Sequence, residues 1–179
     1  MESVRVQVSG KRIKANGQIV AAAAETNPAF QAFHAYYDLH TDEAGATKRI
    51  GLTVTLAERE RQLSIARDEE NMWLVSDQRG ESRAAYNGAL DVDVVLSPFF
   101  NALPIRRLGL HEQAQSITLP MVYVSLPDMS VSAAIVSYNS SIRPGNPEVI
   151  KVKSPVADTT LTVDADGFIV DYPGLAERI

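Results

Sequence analysis

The stretch "SPFFNALPIRRLGL", residues 97–110, combines two adjacent aromatic residues, two prolines and two adjacent arginines. It does not fit a central β-strand, because proline donates no hydrogen bond to a neighbouring strand. It is also too apolar for an ordinary surface loop. We therefore predict a segment that closes or lines the fold, with one helical turn near Asn101. Its prolines would end strand pairing.

The two arginines of this stretch, Arg106 and Arg107, lie between an isoleucine and a leucine. In an extended segment, adjacent side chains point to opposite faces, so at least one guanidinium would cross apolar surroundings. An unpaired charge there is strongly destabilising, and the planar guanidinium fits a carboxylate or a phosphate. Three interpretations stay open: a structural clamp onto Asp91 or Asp93, contact with an anionic head group, or simple exposure to solvent.

Asp91 and Asp93 are two residues apart in "ALDVDVVLSP". In a strand this spacing places both carboxyl groups on one face, with Val92 and Val94 on the other. Two carboxylates this close raise one pKa unless a cation lies between them. The pair is therefore either a solvated strand face or a pair of acids that the arginines bind.

Most of the remaining chain alternates apolar and polar residues with a period of two, which is typical of half-buried strands. Arg49–Ala57 is the clearest example. Near the end, "TTLTV" and "FIVDY" flank "DADG", whose Asp-Gly pair suits a tight hairpin turn. Further runs of this kind cover residues 61–67, 117–127, 131–141 and 149–154.

Residues 27–40 fit two structures. Asn27 and Pro28 have the residue types favoured at the start of a helix, but apolar residues also alternate along 33–39. We prefer a strand, because the residues that follow look like its hairpin partner. Residues 142–148, "IRPGNPE", are predicted to form a loop.

These patterns predict a mainly β protein with little helix. A single antiparallel sheet of eight or more strands has to curl, so we expect an incompletely closed barrel or β-roll. A length of 179 residues with 45% hydrophobic content suits one domain, residues 1–179, with a buried core. If side chains do not fill the curled sheet, it holds a ligand cavity.

Composition argues against several classes of function. The chain has no cysteine, which excludes disulfides, thiol nucleophiles and thiolate metal sites. A net charge of −5 without a long basic block argues against binding nucleic acid. His34, His40 and His111 lack the spacing of metal ligands, and no catalytic or cofactor motif is present. We expect a protein that is not an enzyme and uses no metal or cofactor.

No apolar run approaches the ~20 residues of a membrane-spanning helix. The apolar run nearest the N-terminus, Ile19–Ala24, follows a long polar lead and is too short for a secretory signal. We therefore expect a cytoplasmic protein. The sequence does not indicate the oligomeric state.

The region around the opening stretch resembles a bacterial family of glycolipid-binding proteins, whose members carry an acidic pair followed by a Ser-Pro-Phe and Leu-Pro-Ile-Arg-Arg-Leu motif. The matching positions are Asp91, Asp93, Ser97, Pro98, Phe99, Asn101, Leu103, Pro104, Ile105, Arg106, Arg107 and Leu108. The C-terminus resembles the end of the same family through Asp164, Asp166, Gly167, Val170, Asp171, Tyr172, Pro173, Gly174 and Arg178. Trp73 matches a tryptophan of the family, whereas Phe100 and Ala102 replace its usual threonines.

The resemblance implies a curled, incompletely closed antiparallel roll, similar to the periplasmic carriers of lipoproteins. It also implies binding of a glycolipid or related lipid. We therefore expect non-catalytic binding of an amphipathic ligand, with the acyl chain inside the curled sheet and the head group at its rim. The candidate ligand-binding residues are Asn101, Arg106, Arg107, Trp73 and Phe99. The candidate structural network consists of Asp91, Asp93 and Asp171, together with the arginines.

Two other functions stay open. In a structural or interaction protein, the Asp–Arg network would serve only to close the fold. An enzyme acting on an apolar substrate would need a polar constellation inside the cavity. Replacing Arg106 distinguishes the first of these from a ligand-binding role: a role in ligand binding predicts weaker binding by a folded protein, whereas a role in the network predicts lost stability.

Overall fold

The computed structural model describes residues 1–23, 31–141 and 148–179. Within these residues the protein is mainly β, as the alternating sequence patterns predict, and it contains one short α-helix. The strands form two seven-stranded sheets, and one sheet curls into a half-barrel. The predicted single sheet is therefore wrong.

The first sheet is an antiparallel meander in which each strand pairs with the next along the chain. Its buried residues recur at every second position, because alternate side chains of a strand point to opposite faces. Its strands are β1 (Glu2–Ser9), β2 (Arg12–Ala21), β3 (Phe33–Thr41), β4 (Thr47–Thr55), β5 (Glu60–Arg67), β6 (Trp73–Asp77) and β7 (Gly80–Ala84).

The second sheet is mixed. Its strands are β8 (Asp91–Val94), β9 (Gln115–Val124), β10 (Val131–Ser141), β11 (Glu148–Lys153), β12 (Asp158–Val163), β13 (Ile169–Tyr172) and β14 (Ala176–Glu177). Neighbours in the chain are again neighbours in the sheet, but β8 runs parallel to β9. The expectation of purely antiparallel pairing is therefore also wrong.

The stretch at residues 97–110 explains this parallel pair, because parallel strands need a crossover connection. Residues 95–114 provide it, through a 3-10 helix at Pro98–Asn101 and the helix α1 (Ala102–Leu108). Both prolines lie in a first helical turn, where the missing N–H costs little. Gly109 ends α1 in the left-handed region, at φ 66°.

The crossover is helical where the sequence analysis assumed an extended segment at the arginines. Consecutive residues of an α-helix are about 100° apart around its axis, so adjacent side chains do not point to opposite faces. Arg106 and Arg107 nevertheless reach different parts of the protein from the last turn of α1.

Apolar side chains of the crossover fill the space between the sheets. Phe99, Phe100 and Leu103 pack in a cluster with residues of both sheets, most of them from the first. Ile105 and Leu110 pack in a second cluster, whose other buried members belong to the second sheet. Full burial of a side chain of this size contributes about 1.5–3 kcal/mol, so the crossover is a substantial part of the core.

The predicted C-terminal hairpin is confirmed, since β12 and β13 pair on either side of the "DADG" turn. The strand predicted within residues 27–40 is confirmed from Phe33 onwards. The alternative helix start at Asn27 and Pro28 lies outside the described residues. The predicted loop also lies outside them, over residues 142–147. No helix in the described part of the chain is long and apolar enough to cross a membrane.

Candidate functional site

A cavity of about 410 Å³ lies beside the second sheet. It is bordered by β8, β9, the turn between β11 and β12, and the residues after β13. Its volume is within the range of small-molecule sites, which is about 300–1,000 Å³. We call it the Asp93 cavity, and its polar lining consists of Asp93, Ser97, Asn101, Tyr123, Ser154, Asp158, Thr159 and Tyr172.

Asp93 is the least satisfied of these groups. It lies in β8 opposite Tyr123 of β9, and only 8% of its surface is exposed. Within the described residues, its carboxyl group has neither a hydrogen bond nor a salt bridge. Burial raises its pKa from 3.8 to about 7. A buried acceptor without a partner is costly, so a ligand that supplies a donor gains affinity there.

Asp91, two residues earlier in β8, has the cation that Asp93 lacks. Nη2 of Arg107 lies 2.5 Å from Oδ2 of Asp91, and Nε contacts both carboxylate oxygens. Burial still raises the pKa of Asp91, an effect that the hydrogen bonds from Arg107 oppose. The guanidinium of Arg107 thus binds Asp91. Asp93 has no such cation and faces the cavity.

Arg106 contacts a different part of the protein. Its Nη1 donates a hydrogen bond to the backbone oxygen of Asp166, and its guanidinium lies 4.5 Å from the centre of the Phe168 ring. A Cβ on Gly167 would come within 3.0 Å of Cγ of Arg106. Arg106 therefore holds the turn between β12 and β13 against α1.

Asn101 connects the crossover to both the core and the cavity. Its Oδ1 accepts a hydrogen bond from the hydroxyl of Tyr138, 3.1 Å away. Its Nδ2 makes no hydrogen bond to any described residue and is not a fully buried atom. The hydrogen bond to Oδ1 thus fixes the orientation of the amide, and the hydrogens on Nδ2 stay available to an acceptor in the cavity.

Ser97 links the cavity wall to the first sheet. Its hydroxyl donates to Oε1 of Glu2 at 2.5 Å, and the hydroxyl of Tyr37 donates to the same oxygen at 2.9 Å. Burial raises the pKa of Glu2, while these two hydrogen bonds lower it. The shared carboxyl group ties β1, β3 and the crossover together behind the cavity.

Two tyrosines complete the polar lining. Burial, and then the charge of Asp93, raises the pKa of Tyr123 to about 12. The same two causes, in the same order, raise the pKa of Tyr172. Both phenol groups are thus within electrostatic reach of the Asp93 carboxyl group, although they come from β9 and β13.

Two exposed apolar side chains lie at the mouth of the cavity, which the exposed Asp158 also lines. Val156 lies in the turn between β11 and β12 and is 64% exposed, and Leu175 follows β13 and is 37% exposed. Exposed large apolar side chains beside a cavity are a common feature of binding sites. The Asp93 cavity therefore combines polar groups in its interior with apolar side chains at its edge.

The structure distributes the candidate ligand-binding residues over several places. Of these, Asn101 lines the Asp93 cavity, and Arg107 binds Asp91. Arg106 lines a separate cavity of about 300 Å³, together with Lys11 and His111.

The two aromatic candidates are buried. Trp73 is fully buried in the first sheet, where its Nε1 donates to the backbone oxygen of Ala89 at 2.9 Å. Phe99 stacks on Phe168 with a centroid distance of 6.3 Å. Asp171, the remaining member of the candidate network, is partly buried in β13, next to Tyr172.

The sequence did not indicate Tyr123, Ser154 or Tyr172 as site residues. They come from three distant parts of the chain and become neighbours only through strand pairing in the second sheet. The spacing of Asp91 and Asp93 was the available indication, because it marked one unusual strand face. It did not show which of the two acids remains without a cation.

Comparisons with known proteins agree with this fold. A family described as "Putative glycolipid-binding" matches residues 1–178. The chain is similar to the crystal structure of a DUF1089 family protein from Pseudomonas aeruginosa, with a TM-score of 0.74 and 23% identity over 99% of this chain and 92% of that one. At this identity the similarity shows the fold alone. None of the curated proteins matches.

Proposed function

This chain belongs to the "Putative glycolipid-binding" family, and from that premise we propose that it binds an amphipathic ligand, a glycolipid, without converting it chemically. The head group occupies the Asp93 cavity, and the apolar chain lies against the exposed side chains at its mouth. The partner is therefore a small lipid molecule.

The observation that carries this proposal is the unpartnered carboxyl group of Asp93 in a cavity of about 410 Å³. Largely buried polar groups in proteins usually have a partner, so a carboxyl group that lines a cavity without one is a candidate contact for a hydrogen-bond donor of a ligand. The raised pKa of Asp93, to about 7, is a further property of functional sites.

The division of the cavity into polar and apolar parts supports an amphipathic ligand. Asn101, Tyr123 and Tyr172 offer hydrogen bonds in the interior, while Val156 and Leu175 offer apolar surface at the mouth. Each methylene group buried there contributes about 0.8 kcal/mol. Apolar side chains of the crossover pack between the sheets. We therefore propose that the acyl chain lies at the mouth of this cavity and not, as expected from the sequence, inside the curled sheet.

Native mass spectrometry of gently purified protein, followed by lipid extraction of the same sample, tests the proposal. We expect a stoichiometric adduct whose mass matches an extractable, chemically unchanged lipid. Ala157→Trp narrows the cavity, which Ala157 lines, and should abolish the adduct. Ala133→Trp introduces the same side chain at an exposed position of β10 and should keep it.

Three results would contradict the proposal, two of them on binding and one on the absence of chemical conversion. The first is an apo mass that stays unchanged after incubation with a total lipid extract. The second is an adduct that survives in Ala157→Trp, which would place the ligand elsewhere. Conversion of the added lipid would show an enzyme instead of a binding protein.

A further inference from the structure

We propose that the Asp93 cavity selects neutral, polyhydroxylated head groups and rejects phosphorylated ones. This inference rests on the proposed function and adds the chemical class of the head group. It follows from the charges, the hydrogen-bonding groups and the burial of the residues that line the cavity.

The charged residues that line the cavity are both acidic. Within the described residues they are Asp93 and Asp158, with no lysine or arginine among the lining groups. Lys151 and Lys153 lie 3.8 Å and 3.9 Å from the carboxylate of Asp158. These two lysines already compensate the charge of Asp158 near the surface. Asp93, deeper in the cavity, has no such cation.

A phosphate next to Asp93 would meet its carboxyl group, and none of the described residues that line the cavity is a lysine or arginine that could compensate either charge. Arg106 and Arg107, the residue type best suited to phosphate, are turned to Asp166 and Asp91. Bringing like charges together at a binding site is strongly unfavourable. An anionic head group is therefore disfavoured even though the sequence contains an arginine pair next to the cavity-lining segment.

Sugar hydroxyls match the hydrogen-bonding groups that remain. Each hydroxyl both donates and accepts, as do the phenols of Tyr123 and Tyr172. Asp93 accepts, and Nδ2 of Asn101 donates. A hydroxyl that donates to the Asp93 carboxylate forms a charge-assisted hydrogen bond, which is stronger than one between neutral groups.

A cationic head group is the competing possibility, because an acid next to aromatic rings also attracts ammonium groups. Asn101 argues against it. Its free Nδ2 is a donor and needs an acceptor on the ligand, which a quaternary ammonium group does not have. A hydroxylated ring satisfies both Asp93 and Asn101.

Three octyl compounds with the same apolar chain test this inference by isothermal titration calorimetry below their micelle concentrations. They are octyl glucoside, octyl phosphate and octyltrimethylammonium, compared at about pH 8, where most of Asp93 is ionised. We expect octyl glucoside to bind at least about tenfold more tightly than either charged compound.

Three variants test which residues set this selectivity. Asp93→Asn should weaken octyl glucoside binding at least about tenfold, as expected for losing a hydrogen bond to a charged group, and should narrow the preference over octyl phosphate. Tyr172→Phe removes one hydroxyl from the cavity and should weaken the binding of octyl glucoside but not that of the two charged compounds. Asp128→Asn removes an exposed carboxylate elsewhere and should leave all three affinities unchanged.

The outcomes separate this inference from the proposed function. Tighter binding of octyl phosphate or octyltrimethylammonium, lost in Ala157→Trp, would overturn the head-group class and the assignment of a glycolipid, while leaving binding of an amphipathic ligand in the cavity intact. An unchanged preference for the glucoside in Asp93→Asn would overturn the role of Asp93. No binding of any of the three compounds would contradict both the inference and the proposed function.

Discussion

The guanidinium of Arg107 holds the carboxylate of Asp91 between α1 and β8, with Nη2 2.5 Å from Oδ2. Only 14% of the Arg107 side chain and 1% of the Asp91 side chain are exposed. Asp93, on the same face of the strand, has no cation. One acid of the pair thus fastens the crossover to the second sheet, and the other faces a cavity.

Replacing Arg107 should destabilise the protein strongly. Arg107→Ala leaves the buried carboxylate of Asp91 without its cation, which is expected to lower the free energy of unfolding by about 3–5 kcal/mol. Urea unfolding followed by circular dichroism measures this change. Arg107→Ala combined with Asp91→Asn removes the uncompensated charge and should recover part of the loss. A single-variant loss under about 1 kcal/mol, as for a surface pair, would show that the salt bridge does not close the fold.

Replacing Arg106 should have a smaller effect. Arg106→Ala loses a contact with the Phe168 ring and a hydrogen bond to Asp166, for which we expect about 1–2 kcal/mol of lost stability. The same urea experiment checks this value. Binding in the Asp93 cavity should not change, because Arg106 lines another cavity. Weaker ligand binding by a stable Arg106→Ala protein would instead support the head-group contact considered from the sequence.

The stability of the protein should fall as pH rises through the titration of Asp93. Burial raises the pKa of this group from 3.8 to about 7, so between these values the folded protein holds a proton that the unfolded chain has lost. The contribution of Asp93 to the free energy of unfolding therefore decreases as pH rises across this window and becomes constant above it.

Asp93→Asn isolates that contribution. The variant should be about 2–4 kcal/mol more stable than the natural protein at about pH 8, with the difference vanishing near pH 4. Urea unfolding of both proteins over this pH range gives the difference directly. The other buried acids, Asp91 and Glu2, are present in both proteins and cancel. Parallel pH curves would mean that Asp93 is ionised without cost in the folded state.

Adding a side chain at Gly17 should destabilise the protein. It lies in β2 opposite Tyr37 of β3, and a Cβ there would overlap the buried Tyr37 ring. That ring packs 5.0 Å from Phe100, which limits its movement. We expect Gly17→Ala to cost about 2–3 kcal/mol, because a packed core absorbs added atoms only by strain.

Gly51, in β4 of the same sheet, provides the matched control. A Cβ there has no heavy atom within 4 Å, so Gly51→Ala should change stability by less than about 1 kcal/mol. Thermal melting of the two variants compares them side by side. Equal losses would show that the Tyr37 ring can move away from Gly17.

Much of the local structure could be predicted from the sequence. The period-two alternation of Arg49–Ala57 anticipates β4, and the Asp-Gly pair of "DADG" anticipates the hairpin of β12 and β13. The resemblance around residues 91–108 anticipates the family, which matches residues 1–178. These features depend on neighbouring residues, whose periodicity and turn preferences are readable without the fold.

The pairing of strands that are distant in the sequence could not be predicted from local patterns. Nothing in the alternation of β8 or β9 shows that the two strands run parallel, and this pairing requires a helical crossover between them. The helix then decides the directions of Arg106 and Arg107, which an extended segment would have placed on opposite faces.

The sequence by itself determined a β-rich chain with an arginine pair near two acids, because residue types and their spacing carry that information. Only the tertiary structure decided that Arg107 binds Asp91 and that Asp93 faces a cavity with Tyr123 and Tyr172. The physical reason is that the partner of a buried charge depends on which distant strands and helices pack together, and this is a property of the whole fold.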